Sequence, residues 1–122
     1  MKPGGNGNEQ PLVFDREAAM AGLDDDLELL GELAELFLAD APELIEQIRS
    51  SVSEGSSPRL QRSAHALRGS ASNFHAQATL RAALELEEMG RGESLEGAEQ
   101  ALERLLHEFD RLRPELEKLT PG

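Results

Sequence analysis

The stretch SAHALRGSASNF, residues 63–74, brings a histidine, an arginine and a glycine together inside a helical pattern. Apolar residues in and before it recur at alternating steps of four and three, so they share one face of a helix: Leu60, Ala64, Leu67, Ala71 and Phe74. At about 100° per residue, His65 points roughly 140° away from that face. Within about 60° of His65 lie Gln61, Arg62, Arg68, Gly69 and Ser72. The spacing predicts an exposed imidazole inside a polar and basic patch.

One exposed imidazole can act as a nucleophile at phosphorus. Neutral imidazole keeps a free ring nitrogen near neutral pH, because the ordinary pKa of histidine is about 6.5. The phosphorylated ring carries new negative charge, which Arg62 or Arg68, each three residues away, can partner. Gly69, one turn further along, removes a side chain that would obstruct an incoming donor. Glycine destabilises a helix by about 1 kcal/mol relative to alanine. Access to His65 would explain why a glycine lies at this position despite that cost.

Other chemistries lack the residues they need. A cysteine-based zinc site is excluded because the chain contains no cysteine. A di-metal site in a helical bundle places a glutamate three residues before each of two histidines, but here those positions hold Arg62, Ser72 and Arg104. No acid lies between residues 55 and 84, so the helix offers His65 no triad partner. A glycine-rich phosphate loop is absent as well.

Two structural interpretations stay open from these residues alone. A lone exposed histidine is commonly an ordinary surface residue. Gly69 could be a packing glycine, although it points away from the predicted apolar face. If His65 does accept phosphate, Arg68 is expected to have a strong partner only in the phosphorylated state.

The chain of 122 residues has a net charge of −12, which predicts one domain and argues against unselective binding to nucleic acid. Ten acids and no lysine or arginine lie between residues 17 and 48, whereas four arginines and no acid lie between 55 and 84. His65 therefore lies in the main basic region of an acidic chain. No apolar run approaches the roughly 20 residues of a membrane span, and the start lacks the apolar core of a signal peptide. These features predict a cytoplasmic protein that binds no membrane.

Helical periodicity predicts an all-α, antiparallel four-helix bundle with a short N-terminal helix capping one end. Residues 1–11 are predicted as a disordered linker or tail, 12–119 as the helical domain and 120–122 as a tail. Asp15 can cap the short helix, which ends at Gly22, and Asp24 to Asp26 begin the second helix. Pro42 is expected to break or bend the chain, with a third helix after it.

Apolar spacing assigns the inward faces of these helices. The second helix is predicted to turn inward Leu27, Leu30, Ala34, Phe37, Leu38 and Ala41, and the third Leu44, Ile45, Ile48 and Val52. Gly55 fits the residue after a helix, Ser57 a cap and Pro58 a first helical residue. The helix of His65 is predicted over 58–74 and the next over 78–89, before a turn at GRGES. Pro114 is expected to kink or end a last helix whose inward face holds Leu95, Ala98, Leu102, Leu106, Phe109 and Leu112.

Residues 65–70, HALRGS, resemble the motif of the histidine-containing phosphotransfer (HPt) domain family, which reads His, any residue, Leu, Lys or Arg, Gly, then Ser or Ala. SASNF continues in the family manner, Leu86-Glu87 is similar to its usual Leu-Glu pair, and residues 38–48 resemble its earlier helices. The resemblance covers residues 13–112. The family commonly has a glycine soon after the residue that matches Phe74. This chain has His75 there, which is expected to project on the side of Arg68 and to be a bystander.

The resemblance implies a four-helix bundle that carries phosphoryl groups between aspartates of response-regulator receiver domains in a two-component phosphorelay. It implies a carrier rather than an enzyme, with His65 as the acceptor and Arg68 steadying the phosphate. The implied partners are a receiver domain or a sensor histidine kinase, docked on Gln61, Arg62, Gly69 and Ser72. A monomer without a cofactor or metal of its own is expected, and magnesium is expected on the partner.

Three alternatives remain open at this point. The chain could be the phosphoacceptor domain of a chemotaxis-type histidine kinase, which shares the histidine chemistry but takes its phosphate from ATP on a kinase domain. It could be a helical interaction module whose histidine is never phosphorylated. A metal-binding bundle is the third alternative, and the missing ligand pattern argues against it.

Overall fold

Five α-helices make up most of the computed structural model, which describes residues 12–120. They are α1 (Arg16–Gly22), α2 (Leu27–Glu54), α3 (Ser57–Ala71), α4 (Gln77–Arg91) and α5 (Ala98–Glu117), with one 3₁₀ turn at Ser72–Phe74. No strand occurs in this range, so the predicted all-α fold is confirmed. Residues 1–11 of the predicted N-terminal tail and 121–122 of the predicted C-terminal tail lie outside the described residues, whereas Thr120 is described and its hydroxyl donates to the Glu117 carbonyl at 2.9 Å.

The four longer helices contact one another in a ring. Helix α3 packs against α2 and α4, and α5 packs against α4 and α2. Short connections between consecutive neighbours make these pairs antiparallel. The short α1 contacts the 3₁₀ turn and α2, so it covers one end of the bundle. No helix between residues 12 and 120 is long and apolar enough to cross a membrane.

Side-chain caps begin the first two helices where the sequence predicts them. The Asp15 carboxylate accepts a hydrogen bond from the Ala18 backbone N–H at 3.0 Å. Asp26 accepts one from the Leu29 N–H at 3.0 Å. Each bond satisfies a backbone donor that has no partner within the helix. Leu27 follows the second cap and is 48% exposed, so its predicted inward position is wrong.

Pro42 does not divide α2, which is one helix of 28 residues. The expected third helix is therefore the second half of α2. Proline removes one backbone donor, but Pro42 lies on the exposed side, where water can satisfy the carbonyl left over. Buried residues lie on both sides of it along the helix, Ala41 before it and Ile45 and Ile48 after it. Pro114 is likewise exposed, and α5 continues past it to Glu117 because Leu112 and Leu116 are both buried.

The chain reverses between α2 and α3 one residue earlier than predicted. Gly55 takes a left-handed φ of 70° after α2, as expected of a glycine in this place. Ser56, not Ser57, caps α3 by accepting a hydrogen bond from the Arg59 N–H at 3.4 Å. Pro58 is consequently the second helical residue. The tip of α3 also differs, because the α-helix ends at Ala71 and a 3₁₀ turn continues to Phe74.

The predicted apolar face of α3 is confirmed. Leu60, Ala64, Leu67, Ala71 and Phe74 are all fully buried. Phe74 packs against Phe37 of α2 with ring centroids 5.5 Å apart, and Phe37 packs edge-on against Phe109 of α5 at 6.1 Å. The inward face fixes the rotation of α3 and leaves the opposite side of the helix in solvent.

Helix α4 extends further than predicted because Gly90 belongs to it rather than to the following turn. Gly90 is buried, and a Cβ there would lie 2.6 Å from the backbone N of Gln61 and 2.8 Å from the backbone O of Ser57. Real Cβ atoms do not approach that closely. Glycine therefore allows the end of α4 to lie directly against the start of α3.

His75 ends the 3₁₀ turn in the left-handed region, with φ 50° and ψ 42°. Glycine populates this region freely, whereas other L-residues are penalised by about 1–2 kcal/mol. This geometry explains why a glycine suits the position. The helical spacing that placed His75 on the side of Arg68 does not extend to it, because α3 ends at Ala71 and the 3₁₀ turn lies between them.

We expect His75→Gly to raise the free energy of unfolding by about 1 kcal/mol, because it relieves the left-handed strain. Urea unfolding at fixed pH measures the change. His107→Gly is the matched control: His107 is exposed in right-handed α5, where glycine should destabilise by up to about 1 kcal/mol. Destabilisation by both substitutions would contradict the assigned role of the turn.

Candidate functional site

His65 stands on the exposed side of α3, with 67% of its side chain accessible to solvent. Its Nδ1 atom lies 2.9 Å from Oε2 of Glu87 on α4. An ionised carboxylate only accepts hydrogen bonds, so this contact assigns a proton to Nδ1. In the neutral ring the lone pair is then on Nε2. Nε2 makes no hydrogen bond within residues 12–120, so the ring presents a free nucleophilic nitrogen.

Glu87 is the buried centre of the site, with 3% of its side chain exposed. Three donors converge on its two oxygens. Arg68 Nε donates to Oε1 at 2.7 Å, while Arg91 Nη2, at 3.0 Å, and His65 Nδ1 donate to Oε2. The hydrogen bond from Arg68 lowers the pKa of Glu87 against the opposing effect of burial, and the His65 contact lowers it further. Glu87 is consequently ionised at neutral pH.

Arg68 is already paired before any phosphate arrives. Its hydrogen bond to Glu87 raises the pKa of the guanidinium. The expectation that Arg68 has a strong partner only beside phosphohistidine is therefore wrong. Its Nη2 also lies 3.4 Å from His65 Nδ1. Because Nδ1 carries its own proton, this contact is proximity rather than a hydrogen bond.

The packing of α4 on α3 places Glu87 beneath His65. Glu87 follows Ala83 by four residues and precedes Gly90 by three, so the three share the face of α4 that is buried. Gly90 sets the close approach, and Glu87 then meets α3 one turn away. Glu87 is not among the residues predicted for the site, because it lies on the helix after that of His65 and the sequence indicates it only as part of the Leu86-Glu87 pair. An acid on a buried helix face is the signal that could have found it, since such an acid requires a partner.

Two surface grooves meet at His65 and contain all six residues that the sequence predicts for the site. One groove is lined by Gln61, Arg62, His65, Glu87 and Arg91. The other is lined by His65, Arg68, Gly69, Ser72, Leu80, Arg81 and Leu84. A Cβ on Gly69 would have nothing within 4 Å, which argues against a packing role. The Ser72 hydroxyl donates to the Gly69 carbonyl at 2.7 Å. His75 lines neither groove.

Acidic and imidazole side chains elsewhere do not assemble a metal site. Within residues 12–120, no three His, Asp or Glu side chains cluster as a metal ion would require. The site around His65 consists of one imidazole, one buried carboxylate and the surrounding arginines.

Comparison with known proteins identifies the family of this chain. The family model for the Hpt domain matches residues 32–115, a range that contains His65 and all of α3 and α4. The chain belongs to the Hpt domain family. The crystal structure of histidine-containing phosphotransfer protein B (HptB) from Pseudomonas aeruginosa PAO1 is similar to this Hpt domain, with a TM-score of 0.80. The two are 23% identical, over 87% of this chain and 92% of that one, so the likeness concerns the fold. Comparison with curated proteins gives no match.

In this Hpt domain we expect Glu87→Gln to lower the free energy of unfolding by about 1–3 kcal/mol at neutral pH, because an amide cannot replace a carboxylate that accepts from three donors. The lowered pKa fixes the sign of the pH dependence. A carboxylate with a lowered folded-state pKa stabilises above its ordinary pKa of about 4.3 and loses that contribution as the pH falls through the folded value. The difference between wild type and variant should therefore shrink in acid, as measured by urea unfolding over a pH series.

Glu85→Gln is the control for this test. Glu85 is on the same helix and pairs with Arg104, but 42% of its side chain is exposed, so the loss should stay below about 1 kcal/mol. Equal losses in the two variants, or a Glu87→Gln difference independent of pH, would refute the assigned role of Glu87.

Proposed function

We propose that this Hpt domain carries a phosphoryl group on Nε2 of His65, taken from and returned to aspartates of receiver domains. The hydrogen bond between His65 Nδ1 and the buried Glu87 carboxylate is the strongest support for this proposed function. It orients the ring, places the proton on Nδ1 and leaves Nε2 free toward solvent. The domain acts as a carrier and not as an enzyme, because it holds the group in stoichiometric amount.

The transfer step is a displacement at phosphorus. The Nε2 lone pair of His65 attacks the phosphorus of an aspartyl phosphate, the N–P bond forms, and the bond from phosphorus to the aspartyl oxygen breaks, which releases a carboxylate. Nδ1 keeps its proton, so the phosphorylated ring is cationic. The ionised Glu87 faces that new positive charge at 2.9 Å and stabilises it. The reverse step passes the group to the next aspartate.

The surroundings of Nε2 suit a protein donor. Arg62 and Arg68 lie on either side of His65 and can meet the phosphoryl oxygens. Gly69 presents no side chain on the same face. We assign any magnesium ion to the receiver domain, because the Glu87 carboxylate, which is the one in contact with His65 among residues 12–120, already accepts from three donors.

His65→Gln tests the acceptor. Incubation with a phosphorylated receiver should place an acid-labile, base-stable phosphate on the wild-type protein and none on the variant. The variant should remain helical, because His65 is mostly exposed. His75→Gln and His107→Gln, which alter the other two histidines of the chain, should keep most of the transfer. Phosphate on His65→Gln, or none on the wild type, would overturn the proposal.

Gly69 tests access to the ring. Gly69→Ala should raise the free energy of unfolding by about 0.5–1 kcal/mol from helix propensity, and should largely preserve transfer. Gly69→Gln should preserve the fold as well, since nothing lies within 4 Å of the new Cβ. Its long side chain should nevertheless slow transfer at least about tenfold, equivalent to roughly 1.4 kcal/mol in the barrier, because in-line transfer tolerates little misplacement. A stable Gly69→Gln that transfers at the normal rate would show that the gap has no role in docking.

A further inference from the structure

Arg68 and Arg91 both donate to the buried carboxylate of Glu87, but they reach it from different helices. Arg68 binds Oε1 of Glu87 through Nε, and its guanidinium already lies beside the His65 ring. Arg91 binds Oε2 from the same helix, one turn beyond Glu87, with 54% of its side chain exposed. Arg91 lines the groove on the far side of His65, together with Gln61 and Arg62.

Phosphorylation of His65 would add negative charge to this site, which nearby positive side chains would stabilise. A side-chain phosphoryl group carries about two negative charges near neutral pH, and the Arg68 guanidinium already lies 3.4 Å from the His65 ring. The phosphoryl group forms on Nε2, whereas Arg68 lies beside Nδ1 and is bound to Glu87 through Nε, so we expect its turn toward the phosphoryl oxygens to loosen the bond to Glu87. Glu87 is nearly inaccessible to water, and an uncompensated carboxylate in that environment is strongly unfavourable.

We propose that Arg91 is a positioning residue that keeps Glu87 compensated while Arg68 moves from Glu87 to the phosphoryl group on His65. The inference rests on the proposed function, since it assigns a role within the phosphorylated state of the same site. Arg91 does not touch the reacting atoms. It acts through Glu87, whose second oxygen it occupies whether or not Arg68 remains on the first.

The position of Arg91 is fixed by the same packing that buries Glu87. Arg91 is the last residue of α4 and directly follows Gly90, whose missing side chain lets the helix approach α3. Its bond to Glu87 spans four residues of one helix, so it does not depend on where the α3 side chains point. Arg68 bonds across the interface between two helices, and its side chain can rotate away without disturbing α4.

The test compares Arg91→Gln with Arg104→Gln. Arg104 is a matched control because it also pairs with a glutamate of α4, Glu85, and 55% of its side chain is exposed. His65 is phosphorylated with phosphoramidate, whose N–P bond breaks to release ammonia as the phosphohistidine bond forms, so no partner protein is required. Two quantities are measured: the lifetime of the phosphohistidine and the NMR shift of the Arg68 Nε–H on phosphorylation.

In the wild type and in Arg104→Gln, the Arg68 resonance should shift on phosphorylation. In Arg91→Gln the shift should be smaller and the phosphohistidine should hydrolyse at least about threefold faster. Adding Arg68→Ala should shorten the lifetime in the wild-type background but change it little in Arg91→Gln, because Arg68 is already withheld there. Arg91→Lys should restore the wild-type behaviour, and it remains informative if the glutamine variant does not fold.

Each remaining outcome is decisive. A wild-type lifetime and Arg68 shift in Arg91→Gln would overturn the role of Arg91 and leave the carrier function intact. Fully additive effects of Arg68→Ala and Arg91→Gln would overturn it too, since the two arginines would then act independently. Failure of Arg91→Lys to restore a folded Arg91→Gln variant would show that more than the positive charge is required and would refute compensation. Absence of any phosphate on wild-type His65 would instead refute the proposed function.

Discussion

The geometry around His65 depends on burying the carboxylate of Glu87. A carboxylate with 3% of its side chain exposed is stable only where donors reach both of its oxygens. Those donors come from two helices, His65 and Arg68 from α3 and Arg91 from α4. The two helices must therefore lie close together in one register. Gly90 meets this requirement, because a side chain there would collide with the backbone of α3.

The rest of the bundle holds α3 in the rotation that this contact needs. Its inward face is fully buried, and Phe74 at its end packs on Phe37 of α2. The chain then reverses through the 3₁₀ turn and the left-handed His75, so that α4 returns along α3. The segment 12–15 also binds to this connection between α3 and α4, since the Leu12 carbonyl accepts a hydrogen bond from the Ala78 N–H at 2.9 Å. That bond satisfies a backbone donor in the first turn of α4, where no side chain caps the helix.

Local signals in the sequence predict local features of this fold well. The caps at Asp15 and Asp26, the left-handed Gly55 and the inward face of α3 each depend on a few neighbouring residues. The effects of Pro42 and Pro114 are harder to predict from the sequence, because a helix continues past a proline when its residues on both sides of the proline are buried in the core. The contribution of Glu87 to the site is the hardest of these features to predict. Its role rests on contacts with residues 19 and 22 positions away in the sequence, and no helical wheel of α3 contains it.

The pairing of Arg68 with Glu87 also bears on the proposed carrier function. An arginine without a partner would gain a full charge-assisted hydrogen bond when phosphate arrives, and the phosphorylated state would be stabilised by that whole amount. If Arg68 moves to the phosphoryl group as proposed, it exchanges one anion for another, so the net gain is only the difference between two ion pairs. A carrier has to accept the group and then release it, and a deep minimum at His65 would oppose release. In the proposed transfer, the buried carboxylate thus orients the histidine for attack and limits how tightly the product is held.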